Sequence, residues 1–195
     1  MEFLIGFDKG VSFALDHQIV PRFGPHGLNE AMVFFTHLGD LLVLRVAVIV
    51  IVCAFAACRR FLPAALVILA FLAGHGLSNG VKDAVQRERP YPVHEFSPRP
   101  KSYSYPSGHA LESTALYVTA ALLAARYGMR AGRWLVAGSL LLAFLIGFSR
   151  VYLGYHYATD VIGGWAAGLA IALTCLWLAQ RWAPIVPRKD APRQL

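Results

Sequence analysis

The sequence predicts an all-α integral membrane helical bundle, with five transmembrane helices and, at the N-terminus, an amphipathic helix or a sixth span. Three observations predict it. Of the 195 residues, 57% are hydrophobic and only 15% charged, with a mean hydropathy of +0.52; ordinary soluble domains carry roughly 45 to 50% apolar residues. Apolar runs near the ~20 residues that cross a bilayer recur along almost the whole chain. Polar residues gather in short stretches between those runs, so the chain reads as one integral domain, 1–195, with no material for a separate aqueous core.

Residues 1–28 form an N-terminal interfacial segment. "MEFLIGFDKGVSFALDHQIV" carries Glu2, Asp8, Lys9 and Asp16 through what would be its apolar region, which opposes both a cleavable signal peptide and full insertion. The first span runs from about Asn29 to Cys58, where Arg59 and Arg60 stop it. "FLPAALVILAFLAGHGLSNG" makes the second, with Pro63 near its start, where a missing N–H costs least. Residues 82–108 then turn polar, with Pro90, Pro92, Pro98, Pro100 and Pro106, and read as the one substantial loop. The third span runs from about His109 to Ala125, the fourth from Trp134 to about Arg150 and the fifth from about His156 to Trp182; 183–195 is a basic tail. Gly164 and Gly168 frame a small-xxx-small pattern suited to close helix packing, either within the bundle or between two chains of a homodimer.

The net charge of +7 does not point to nucleic acid, because the basic residues sit in short inter-span loops and not in a stripe with interleaved aromatics. The lipid bilayer is the expected partner. Arg59 and Arg60, then Arg126, Arg130 and Arg133, then Arg181, Arg188, Lys189 and Arg193 fall on one side, which the positive-inside rule makes cytoplasmic. That orientation places the protein in the plasma or inner membrane with its C-terminus inside and the 82–108 loop outside. Cys53, Cys58 and Cys175 are odd in number and lack metal-ligand spacing.

Three clusters fall where spans end on the outward side: "KDAVQRERP" (82–90), "YPSGHA" (105–110) and "SRVYLGYHYATD" (149–160). Continued helically, the first puts Lys82 and Arg89 on one face, where both can point at one anion. An arginine fork matches phosphate oxygens and a lysine adds a compact charge from another direction. Lys82, Arg89 and Arg150 together therefore fit a phosphate cage, whereas any one alone is more often a snorkelling interface residue. Ser107 stands where a helix begins, with Gly108 allowing close backbone approach to an anion; plain helix capping explains the same pair.

His156 and Asp160, four residues apart, share a helical face. The carboxylate can accept from one ring nitrogen and leave the other free to attack, or the pair caps a helix start. His109 can protonate a departing oxygen and then take a proton from water. Glu112, one turn later, either supports His109 or caps its helix. His17, His26, His37, His75 and His94 have no partner at a telling spacing and read as interfacial or structural.

Lys82-x6-Arg89-Pro90, Pro106-Ser107-Gly108-His109 and Ser149-Arg150-x5-His156-x3-Asp160 together resemble the tripartite signature of the type 2 phosphatidic acid phosphatases, membrane enzymes that share an active site with vanadium haloperoxidases. The resemblance implies hydrolysis of a phosphate ester or anhydride with no metal and no cofactor, through a phosphohistidine intermediate. His156 would be the nucleophile, Asp160 its orienting partner and His109 the general acid/base; Lys82, Arg89, Ser107, Gly108 and Arg150 would hold the phosphoryl group. The substrate implied is a membrane lipid with a phosphate or diphosphate headgroup, an undecaprenyl diphosphate-like polyprenyl carrier first, phosphatidic acid or phosphatidylglycerol phosphate otherwise. Soluble haloperoxidases do not carry five apolar spans. A non-catalytic lipid or anion carrier would need neither the His156–Asp160 spacing nor a separate His109.

Overall fold

The computed structural model describes residues 6–11, 26–90, 101–129 and 131–182. Expectations for the rest of the N-terminal segment, for Arg130, for positions 91–100 with His94 and Arg99, and for the tail 183–195 lie outside the described residues. A short helical stretch at 6–11 is followed by α1 (His26–His37), α2 (Leu41–Ala57), α3 (Phe61–Val85), α4 (Gly108–Ser113), a π-helical turn (Thr114–Val118), α5 (Thr119–Arg126), α6 (Gly132–Tyr152) and α7 (Ala158–Trp182). There is no strand among the described residues.

Helices α3, α6 and α7 are each long and apolar enough to cross a membrane, with 25, 21 and 25 residues. The expected first span is not one helix: α1 and α2 meet at a 58° bend and only together meet the same criterion. The break falls at Leu38, Gly39 and Asp40, where Gly39 N–H bonds Thr36 O at 3.0 Å and Asp40 N–H bonds His37 O at 3.1 Å. Those turn bonds replace the helical ladder and point the corner toward the end of the bundle that holds the motifs.

The expected third span is the composite of α4, the π turn and α5, six, five and eight residues that follow one another without a gap. Two hydroxyls compete with its backbone ladder: Ser113 Oγ donates to His109 O at 2.5 Å and Thr114 Oγ1 to Ala110 O at 2.6 Å. Such back-bonding loosens the following turn, and π turns of this kind sit at functional sites. This composite helix is the centre of the bundle, with Leu111, Leu116 and Leu123 fully buried.

α7 lies directly on it. A Cβ at Gly164 would come within 2.8 Å of Ser107 O, and one at Gly168 within 2.6 Å of Leu111 O. The small-residue pattern therefore packs inside the bundle. Outward faces carry Ile49, Leu72, Leu141, Leu173 and Trp177, all exposed, as suits contact with lipid chains that are themselves apolar.

Candidate active site

α3 ends because Gln86 adopts a left-handed conformation (φ 51°, ψ 35°) and its N–H closes on Lys82 O, a common helix stop. The expectation that Lys82 and Arg89 share one helical face is therefore wrong, since Arg89 lies three residues beyond the cap in irregular chain. It still turns inward. Its Nε donates to Ser102 O at 2.8 Å, Nη2 to Ser102 Oγ at 3.0 Å and Tyr103 O at 3.2 Å, and Nη1 to Tyr155 O at 3.0 Å and His156 Nε2 at 2.9 Å.

An arginine N–H can only donate, so Nε2 of His156 is the accepting nitrogen and the ring proton belongs on Nδ1. Facing Nδ1 are Ser104 Oγ at 3.3 Å and Asp160 Oδ2 at 3.5 Å. Burial, the dominant cause, pushes the pKa of this imidazole down to about 3. The ring is therefore neutral at physiological pH, as a nucleophile must be.

His156 and Asp160 do not share a helical face either. α7 begins at Ala158, and His156 sits in the turn that follows Gly154, whose φ of 72° suits glycine. They meet because Asp160 reaches back: its Oδ2 accepts from Tyr157 N–H at 3.0 Å, in the manner of a capping box. The carboxylate is fully buried and otherwise saturated. Ser104 donates its hydroxyl to Oδ2, and Arg87 Nη1 donates to Oδ1 at 2.6 Å. Arg87 also lies 4.2 Å over the Tyr157 ring and donates through Nη2 to Asp8 Oδ2 at 2.6 Å. Asp8, from the stretch at 6–11, accepts in turn from the backbone and hydroxyl of Thr159 at 3.0 and 2.6 Å.

The opposite wall is cationic. Arg150, in the last turn of α6, stacks 4.2 Å over the Tyr155 ring and donates through Nη1 to Thr36 Oγ1 at 2.6 Å. Lys82 donates to the Ser78 hydroxyl one turn back, and a Cβ on Gly108 would lie 3.2 Å from its Nζ. Ser107 holds the N-cap position of α4, yet its side chain makes no capping bond. Its Oγ and the Nε of Arg150 are buried without a hydrogen-bond partner among the described residues. Buried polar atoms are nearly always paired, and donors left over beside a lysine and a second arginine are what an anion would occupy.

His109 lies in the first turn of α4, its Nε2 3.0 Å from Asp40 Oδ1. The other oxygen of Asp40 accepts from His37 Nδ1 at 2.7 Å. Glu112 neither supports His109 nor caps α4; its Oε1 accepts from His75 Nδ1 at 3.2 Å. His37 and His75 thus do have partners: Asp40 lies three positions from His37, a spacing the sequence reading passed over, whereas Glu112 lies 37 positions from His75.

Contacts and chain adjacency bring seven of the eight residues singled out from the sequence together, and His109, next in the chain to Gly108, bonds Asp40 instead. Lys82 adjoins Gly108, Ser107 N–H bonds Asp160 O at 3.0 Å, Asp160 faces His156, His156 meets Arg89, and His156 N–H bonds Arg150 O at 3.2 Å. Sequence reasoning missed Asp8, Asp40, Arg87 and Ser104. Among the described residues no three His, Cys, Asp or Glu side chains converge on a possible metal position.

A membrane helical bundle that gathers three cations, a carboxylate-paired imidazole and a second imidazole at one end has the parts of a phosphoryl-transfer enzyme. Residues 63–184 match the family model of the PAP2 superfamily, and the chain belongs to that superfamily. It is similar to phosphatidylglycerophosphatase B of Bacillus subtilis (strain 168), 32% identical over 74% of this chain and 71% of the relative. It is also similar to an undecaprenyl-diphosphatase of Sulfolobus acidocaldarius, 29% identical over 85% of this chain and 78% of the relative. The crystal structure of a transmembrane PAP2-type phosphatidylglycerolphosphate phosphatase from Bacillus subtilis superposes with a TM-score of 0.82 at 26% identity, covering 95% of this chain and 90% of that one. The chain is an integral membrane phosphatase acting on lipid phosphates.

Proposed function

We propose that the phosphatase works through a phosphohistidine on His156. The observation that carries this is the opposed surroundings of its two nitrogens: Nε2 against Arg89, Nδ1 against Ser104 and Asp160. Nε2 attacks phosphorus, so that a P–N bond forms while the P–O bond to the lipid alcohol, or to the lipid phosphate of a diphosphate, breaks. Arg89 exchanges its bond to Nε2 for one to a phosphoryl oxygen. Asp160 and Ser104 retain the Nδ1 proton and stabilise the charge that appears on the ring.

Lys82, Arg89, Arg150, Ser107 and the backbone at Gly108 meet the phosphoryl oxygens with donors that are already in place. His109 gives a proton to the leaving oxygen, then takes one from the water whose oxygen attacks phosphorus and breaks the P–N bond, releasing phosphate. Three fixed cations supply the charge neutralisation for which many phosphoryl-transfer enzymes use a metal.

The site stands at the end of the bundle, level with headgroups, and by the distribution of arginines it faces outward. Two lipids fit equally. The family resemblance favours a polyprenyl diphosphate, the substrate named for the Sulfolobus relative; the likeness in chain and fold to the Bacillus protein favours phosphatidylglycerol phosphate. The test is phosphate release by the detergent-purified protein in excess chelator from both lipids and from phosphatidic acid, with His156→Ala as control. Chelator-resistant release abolished in the variant is expected. Appreciable residual turnover in correctly inserted His156→Ala would remove His156 as nucleophile.

A further inference from the structure

We infer that Asp40, at the broken corner between α1 and α2, is the positioning residue for His109, holding its Nε2 so that Nδ1 is the nitrogen presented to the leaving oxygen. The inference rests on the acid/base role given to His109 above.

Asp40 occupies the N-cap position of α2, with extended backbone (φ −66°, ψ 142°), where an aspartate ordinarily accepts from the first turn. It makes no capping bond. Its two oxygens go to His109 Nε2 at 3.0 Å and His37 Nδ1 at 2.7 Å. A cap residue that leaves its own helix uncapped has been spent on something else.

The corner is built around that contact. A Cβ on Gly39 would fall 2.9 Å from His109 Cδ2 and 2.6 Å from Ile146 Cγ2, so only glycine lets the chain pass so close to the ring. Tyr117 donates its hydroxyl to Leu38 O at 3.0 Å and anchors the corner to the central helix. Thr36, two residues before Leu38, takes the Nη1 of Arg150. The bent pair α1 and α2 therefore touches both the acid/base histidine and a cation of the cage.

The chemistry follows from the acceptor-only nature of an ionised carboxylate. It accepts a hydrogen bond from Nε2–H, which keeps that proton on the ring, and the second proton of the imidazolium is on Nδ1, available to the departing oxygen; after transfer Nδ1 carries the lone pair that deprotonates water. The charges facing His109 are Asp40 from the corner, Arg150 from α6 and Arg89 from the loop, and Asp40 also faces His37. Burial first and then the two cations disfavour the imidazolium, and Asp40 is the group that opposes them.

The test compares kcat/KM against pH for wild type, Asp40→Asn and Asp40→Glu, with an alkyl phosphate, whose alkoxide leaves only with a proton, and an aryl phosphate, whose phenolate leaves without one. Asp40→Asn is expected to lose roughly 10- to 100-fold on the alkyl substrate, part of the ~100- to 10,000-fold that a positioned acid supplies. It should lose far less on the aryl substrate, its alkaline limb should move to lower pH, and Asp40→Glu should bring the limb back toward wild type. Equal losses on both substrates with an unmoved limb overturn the inference. His109→Gln separates the two layers: if it retains alkyl activity the acid/base assignment itself falls, whereas an inactive His109→Gln beside a wild-type-like Asp40→Asn removes only the role of Asp40. The unaltered protein gives an independent reading through the 15N shifts of the His109 ring, which must show Nε2 protonated and Nδ1 bare at alkaline pH; the opposite tautomer overturns the inference whatever the variants do.

Discussion

Arg87 Nη1 lies 2.6 Å from Asp160 Oδ1, on the side of the carboxylate away from His156. Because its Nη2 is equally close to Asp8, one guanidinium ties the buried carboxylate to the stretch at 6–11. Removing one partner of a buried charge strands the other. Arg87→Met should therefore lower turnover by roughly 10- to 100-fold, the cost seen when an outer hydrogen-bond partner of a functional group is removed. Arg87→Lys should recover only part, since an ammonium cannot span two carboxylates with a planar fork. Phosphate release and a thermal melt on each variant check this; full activity in Arg87→Met would show the tie to be idle.

The imidazole of His156, pushed down to about 3 by burial, should titrate far below the ordinary 6.5. The sign for stability follows. Between about pH 6.5 and 3 the unfolded chain binds a proton that the folded chain refuses, so this residue's contribution is complete above 6.5 and is lost as pH falls toward 3. NMR titration of the ring and melting temperatures from pH 7 to 4 test both statements; a ring midpoint near 6.5 would contradict the burial argument. His156→Gln should flatten part of the melting trend.

Glycines in α6 and α7 divide sharply. Gly168→Ala drives a methyl to 2.6 Å from Leu111 O and 2.7 Å from Thr114 Cβ, and overpacking of this kind costs about 1–3 kcal/mol. Gly138→Ala meets nothing within 4 Å and should be neutral or stabilise by up to about 1 kcal/mol through helix propensity. Melting temperatures in the same detergent check the contrast, and activity of Gly168→Ala should fall as well because α4 carries His109.

What the sequence disclosed and what it concealed have one physical cause. The eight motif residues are legible because each motif is local and ends an apolar run, so spans deliver them to the same side. The geometry joining them is not local. Lys82 and Arg89 do not share a helix because one left-handed residue, Gln86, ends it. Asp160 reaches His156 by capping a helix start, so the functional reading and the capping reading of that pair describe the same carboxylate. The residues missed altogether contact partners far off in the chain: Asp40 and His109 are 69 positions apart, Arg87 and Asp160 73, Ser104 and Asp160 56. No periodicity connects such pairs; only the packed bundle does. The break in the first span does leave a local mark, the stretch Thr36-His37-Leu38-Gly39-Asp40 with a single apolar residue, but the longer apolar runs on either side outweigh it in a reading by span length.

The cluster of Lys82, Arg89, Arg150 and the unpartnered hydroxyl of Ser107 has a further consequence. On the proposed mechanism its donors meet the oxygens of a phosphoryl group and are indifferent to whether a lipid is still attached. The freed anion therefore competes for the same berth as the next substrate, and the enzyme carries its own brake. Turnover should then slow as inorganic phosphate accumulates, which links headgroup removal to the mineral state of the surroundings.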